Sequence, residues 1–202
     1  MTTTKTINIT EIREAIKSKL SNEKTISVIE CLPEFVELMS LKMLADVHKA
    51  SQRQHNLVYL NFWTLTWNMV SETNFTISAS CTGNSGPRNL TQRFIHNDMK
   101  VTEDLIDYFY NIISKPPVFS TFVAELTSLA KSEGMSKELT IGKNIHLLYR
   151  LLFTEILVQC FENKKTVTLN GFGEFAKKLK NKRIAASVGY LQFTPYPQME
   201  VA

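Results

Sequence analysis

Four histidines and three cysteines are the residues most able to carry chemistry, and their spacing decides whether they can act together. His48 and His55 lie seven apart, near enough to share a helix face, but no H-E-x-x-H pattern or carboxylate partner completes a metal set. His96 stands beside Asp98 in a stretch that reads as loop, and His146 falls inside a long helical pattern. Each reads as a structural or solvated histidine rather than a catalytic one. Ser85 sits in Gly-Asn-Ser-Gly, which lacks the G-x-S-x-G elbow between strand and helix that exposes a nucleophilic serine. Cys31, Cys81 and Cys160 are too widely spaced for a disulfide framework or a zinc knuckle and read as ordinary core or surface thiols. The expectation is a protein that is not an enzyme, with no catalytic residue, no metal, no cofactor and no small-molecule substrate.

Charge offers a different chemistry. Residues 1–116 hold 12 Lys+Arg against 12 Asp+Glu, whereas residues 117–202 hold 11 against 7, which supplies the whole net charge of +4. Within 164–183 stand seven cations (Lys164, Lys165, Lys177, Lys178, Lys180, Lys182, Arg183) and one acid, Glu174. Such a run is either a footprint for a polyanion or a solvated strand edge on which Lys blocks unwanted pairing.

Hydrophobic residues at 44% and charged residues at 21% are ordinary for a chain that builds a core. No window approaches the roughly 18 apolar residues of a membrane span, and the polar start lacks the apolar stretch of a signal peptide. A cytosolic origin is expected, so the sequons at Asn8, Asn74 and Asn89 carry little meaning.

The periodicity of the chain then predicts its elements. Thr10 is the expected cap of a helix carrying Ile12, Ile16 and Leu20, and Pro33 suits the first turn of a second helix running to about Ala50. Trp63, Leu65, Trp67 and Met69 alternate with polar residues, as do Phe75, Ile77, Ala79 and Cys81, so a β-hairpin is predicted there. Trp63 and Trp67 form a candidate interface, by core or subunit packing in preference to an exposed stacking platform. Residues 81–89 read as loop and 102–114 as helix, and Lys115-Pro116-Pro117 stops that helix. The double proline is the expected boundary between a domain at 1–116 and another at 117–202. A helix to about Lys131 follows, then a turn at Gly134. Ser136 is the expected cap of a long helix whose Ile141, Ile145, Leu148, Leu152, Ile156 and Cys160 share one face to about Glu162. Strands are expected at 166–170 and 174–180, with no internal repeat evident in the sequence. The fold class expected is α+β: a helical N-terminal domain carrying a hairpin, then two helices with a small antiparallel sheet.

One motif is more specific. In V-T-L-N-G-F-G-E-F (167–175), Val167 and Leu169 point one way, Gly171 and Gly173 bracket Phe172 in a tight bend, and Phe172 and Phe175 can anchor the hairpin to the helices. The G-x-G does not lead into a helix, so it does not read as a nucleotide loop. Two helices, this motif, and a returning Leu191-Gln192-Phe193-Thr194-Pro195 together resemble the HU/IHF family of bacterial DNA-bending proteins, over about residues 117–197. The fold-motif positions are Val167, Leu169, Gly171, Phe172, Gly173, Phe175, Phe193 and Pro195. The resemblance implies dimers with intertwined helices and paired β-arms that kink DNA with a proline wedge. Here the arm between Phe175 and Phe193 is shortened and holds no proline, and too few residues follow Phe193 for the family's closing helix.

Two functions follow from the resemblance. HU/IHF-like proteins occur among structural proteins of crAss-like tailed bacteriophages. The chain is similarly expected to be a structural subunit of an assembly, a ring or connector protein of a phage tail. Its partners would be copies of itself and neighbouring virion proteins, with no membrane, and its place the virion. The other expectation is an HU/IHF-type DNA-binding protein of cytoplasm or nucleoid, contacting phosphates through Lys177, Lys178, Lys180, Lys182 and Arg183.

Overall fold

Asn8 is both the last residue of a strand and the start of a helix. Its side-chain oxygen accepts the Glu11 amide at 3.0 Å, and Glu11 Oε2 accepts the Asn8 amide at 3.0 Å, a reciprocal cap. The cap is thus Asn8 and not Thr10: Asn8 is extended where the helix begins, while Thr10 already lies within it. The computed structural model describes residues 5–49, 55–59, 63–69, 74–81, 101, 103, 118–179, 189–195 and 198–200, with side chains over 5–42, 101, 103 and 119–177.

The chain runs β1 (Thr6–Asn8), α1 (Ile9–Lys17), α2 (Glu23–Ile29), α3 (Leu32–Lys49), β2 (His55–Tyr59), β3 (Trp63–Met69) and β4 (Asn74–Cys81). After the interval come α4 (Val118–Ser132), a 3-10 turn (Lys137–Thr140), α5 (Gly142–Leu157) extended by a π turn (Val158–Glu162), and β5 (Thr166–Leu169). Strands β6 (Gly173–Leu179), β7 (Gly189–Pro195) and β8 (Gln198–Glu200) complete it. Helix and sheet are thus mixed in an α+β protein. Short α2, capped by Asn22, was not anticipated, because seven residues give too little periodicity to read.

Among the described residues two four-stranded sheets form, in the orders β1-β5-β6-β7 and β2-β3-β4-β8. The hairpin expected from alternation is β3–β4, with Trp67 opposite Ile77 and Met69 opposite Phe75. β5–β6–β7 is an antiparallel meander, with Val167 opposite Phe175 and Phe175 opposite Phe193. The terminal strands cross over. β1 joins β5 in parallel, Thr6 opposite Thr166, and β8 joins β4, Phe75 opposite Met199.

The helices share one core. Ile12, Ile16, Ile29, Leu32, Phe35 and Leu38 belong to the same buried cluster as Phe119, Leu126, Leu148, Leu152, Val167 and Phe172. The first forty residues thus bury their apolar side chains in one cluster with those of the last third of the chain. On α5, Ile145, Leu148, Leu152 and Ile156 are buried as expected, and Cys160 in the π turn with them, but Ile141 is 44% exposed. Ile141 precedes the helix, which starts at Gly142. Ser136 does not cap it. Its amide instead donates to Glu34 Oε1 at 2.7 Å and its hydroxyl to Glu34 Oε2, tying the turn to α3. The helix expected at 102–114 and the loop at 81–89 lie, beyond Cys81, Val101 and Glu103, outside the described residues.

Truncating a buried aromatic should cost far more than removing an exposed cap. Phe172→Ala should lose about 3–5 kcal/mol of unfolding free energy and Asn8→Ala about 1 kcal/mol, read from urea denaturation midpoints at constant m-value.

Candidate functional site

The β5–β6 bend that carries the family-like motif is built as the residues require. Gly171 has φ 77° and Gly173 φ 156°, both in the region that side-chain-bearing residues avoid. The bend lies against α3: a Cβ on Gly171 would come 3.5 Å from Ser40 Oγ. Phe172 and Phe175 are buried with ring centroids 6.4 Å apart, and with Val167 and Leu169 they anchor the sheet to α3 and α5. Pro195 lies opposite Gly173, and Phe193 opposite Phe175, which places all eight motif positions within β5–β7 and its bend.

The basic residues gather at the other end of this sheet. Lys177 Nζ stands 5.9 Å from the centre of the Phe161 ring, a cation–π distance. Lys178 occupies the β6 position opposite Tyr190. Lys180, Lys182 and Arg183 lie outside the described residues. Lys164 is exposed and held at φ 53°, and Lys165 donates its amide to the Gln159 carbonyl at 2.9 Å, closing the π turn. The Thr166 amide donates to the Lys5 carbonyl at 3.1 Å, so β1 brings exposed Lys5 alongside Lys165. Lys5 and Lys165, just ahead of β1 and β5, and Lys177 on β6 thus lie at one end of the sheet. Lys5 was invisible to sequence reasoning, because nothing in a three-residue strand announces a partner so far along the chain.

Trp63 lies opposite Tyr59 and Cys81, and Trp67 opposite His55 and Ile77. Directly opposed residues share a side of a sheet, so both Trp positions fall with Leu57, Leu65, Met69, Phe75, Ile77 and Ala79. Thr64, Thr66, Asn68, Thr76, Ser78 and Ser80 fall on the other side. His55 is in a strand while His48 is in α3, so the two share no helix face.

The remaining chemical candidates have structural surroundings. His146 packs edge-on to Phe119 at 4.9 Å, and burial lowers its pKa. Cys160 directs its Sγ at the Phe175 carbonyl at 3.5 Å, and burial pushes its pKa up to about 12. Burial likewise raises the pKa of Cys31. Among the described residues no group of three His, Cys, Asp or Glu is placed to hold a metal, and no helix is long and apolar enough to cross a membrane. His96, Asp98 and Ser85 lie outside the described residues.

No protein-family model matches this chain, and neither the curated proteins nor the solved structures contain a match to it.

Two measurements check this electrostatic picture. A thiol with pKa about 12 is roughly one part in ten thousand thiolate at pH 8, so Cys160 should resist iodoacetamide until the protein is unfolded, as read by peptide mass spectrometry. His146, its pKa lowered on folding, contributes most above the ordinary histidine value near 6.5 and loses that contribution as pH falls through it. Between pH 7.5 and 5, the melting temperature of His146→Gln should therefore fall less than that of the parent.

Proposed function

We propose that this chain is a non-enzymatic structural subunit of a multi-protein assembly, a ring or connector protein of a bacteriophage tail built on an HU/IHF-like arrangement in residues 117–202. The observation that favours this reading is where the described polar groups go. Lys19 Nζ donates to buried Glu155 Oε2 at 2.6 Å, Gln159 Nε2 to Glu155 Oε1 at 2.6 Å, and Asn163 to Gln159 at 3.0 Å. Lys42 meets Glu125 at 2.7 Å, and Glu34 holds Ser136. The Lys19–Glu155, Lys42–Glu125 and Glu34–Ser136 ties fasten separate elements to one another, and Gln159 and Asn163 extend the first along the end of α5, as suits a rigid building block. Its partners would be copies of itself and neighbouring virion proteins, with Trp63 and Trp67 in the sheet proposed for contact.

A second reading has its own support. Lys5, Lys164, Lys165, Lys177 and Lys178 stand at one end of β1-β5-β6, and the sequence adds Lys180, Lys182 and Arg183 just beyond. That concentration of charge suits DNA phosphates, which would make the chain an architectural DNA-binding protein of the cytoplasm or nucleoid.

Light scattering of the purified protein, with and without duplex DNA across a salt series, separates the two. A large closed oligomer, or a monomer indifferent to DNA at physiological salt, is the expected result. A species binding duplex with log K falling steeply against log salt, with a slope of about −4 to −5 for five phosphate contacts, would replace it with the DNA reading.

A further inference from the structure

The two parts of the chain repeat one plan. Residues 9–49 form a helix, a short helix and a long helix (α1, α2, α3), and residues 55–81 a three-stranded antiparallel meander (β2–β3–β4). Residues 118–157 form a helix, a 3-10 turn and a long helix (α4, the turn, α5), and residues 166–195 a second such meander (β5–β6–β7). Each short helical element buries one apolar residue completely, Ile29 in the first and Leu139 in the second.

The contacts between the parts are reciprocal. The first helix of one part packs on the long helix of the other, α1 on α5 and α4 on α3. The two long helices, α3 and α5, meet, and so do the two third strands, β4 and β7. Matching elements exchanging matching contacts is the signature of an isologous interface, which a two-fold axis generates. The strand exchange extends it, since β1 completes the sheet of the second part and β8 that of the first.

Charge gives this interface a direction. Lys19, just beyond α1, reaches Glu155 on α5, and Lys42 on α3 reaches Glu125 on α4. Both ties take Lys from the first part and Glu from the second, and each has a buried member, Glu155 at 2% and Lys42 at 7% exposure. Pairing two first parts would leave the buried Lys42 without its Glu125, and pairing two second parts would leave the buried Glu155 without its Lys19.

We infer that the chain is a pseudo-dimer: residues 9–81 and 118–195 are two units of one topology that bind each other about an internal pseudo-two-fold axis. The partner that fits the helical face of each unit is the other unit of the same chain, so that face is closed to a second copy. Any larger assembly must use other surfaces. The inference rests on topology and the Lys–Glu ties, not on the assembly or the DNA reading.

The test uses the full chain with a specific protease site inserted between Asn84 and Ser85, in the segment joining the units. Before cleavage, dilution should leave a folded particle of one chain, 23.1 kDa, with a melting temperature independent of concentration. After cleavage the two fragments should stay together with unchanged circular dichroism. Their melting temperature should now rise with concentration, because unfolding has become dissociation. Fragments that part while each keeps its own cooperative melt would overturn the inference. So would an uncut chain that stays folded only as a two-chain species and unfolds on dilution. A chain that binds duplex with the steep salt dependence of the DNA reading would end the assembly reading and leave this one standing.

Discussion

The structure depends on α5, the helix against which the others pack. It touches α1, α2, α3, α4 and the 3-10 turn, so Ile145, Leu148, Tyr149, Leu152, Phe153, Ile156 and Leu157 are all buried on one helix. Polar residues on its enclosed side are cut off from water, whereas Lys143 and Arg150 on the other side reach it. Glu155 and Gln159 are therefore satisfied from within, by Lys19 and by each other, and Gln159 passes the chain of bonds on to Asn163. The π turn continues the same logic. It widens the last turn of the helix, with the Asn163 amide reaching back to the Val158 carbonyl, and delivers Cys160 beneath β6 and Phe161 beneath Lys177.

The sequence made some of this legible and concealed the rest, for physical reasons. Alternation over seven or eight residues announced β3 and β4, and the glycine-bracketed Phe172 announced the bend between β5 and β6, because each pattern has one economical backbone solution. The apolar face of α5 was readable from Ile145 to Ile156. α2, β1 and β8 were not, since elements of three to seven residues complete no period and take their conformation from partners far along the chain. Thr10 was a plausible cap until Asn8, two residues earlier, proved to have both the extended backbone and the reciprocal Glu11.

The duplication was hidden for a subtler reason. Ile29 and Leu139 do the same work, as do Leu38 and Leu152 in the two long helices, but a core asks only for apolar volume, and many residues supply it. The candidate site was legible as charge and not as geometry. Lys177 and Lys178 could be picked out from composition, whereas Lys5 joined them only through a parallel pairing. The equivalent hairpins have diverged in the same respect: β6–β7 spans the lysine run, while 63–81 contains no Lys or Arg at all. Whatever the charge serves, one unit carries it and the other does not.

The pairing of β1 with β5 also sets an order of events during synthesis. Thr6 leaves the ribosome long before Thr166 exists, an interval on the order of ten to thirty seconds at ordinary rates of elongation. Through that time the apolar faces of α1 and α3 have no α5 to cover them, and the first sheet lacks β8. The core that α1 and α3 share with α5, and the sheets that β1 and β8 complete, can close only once residues 142–200 have been made.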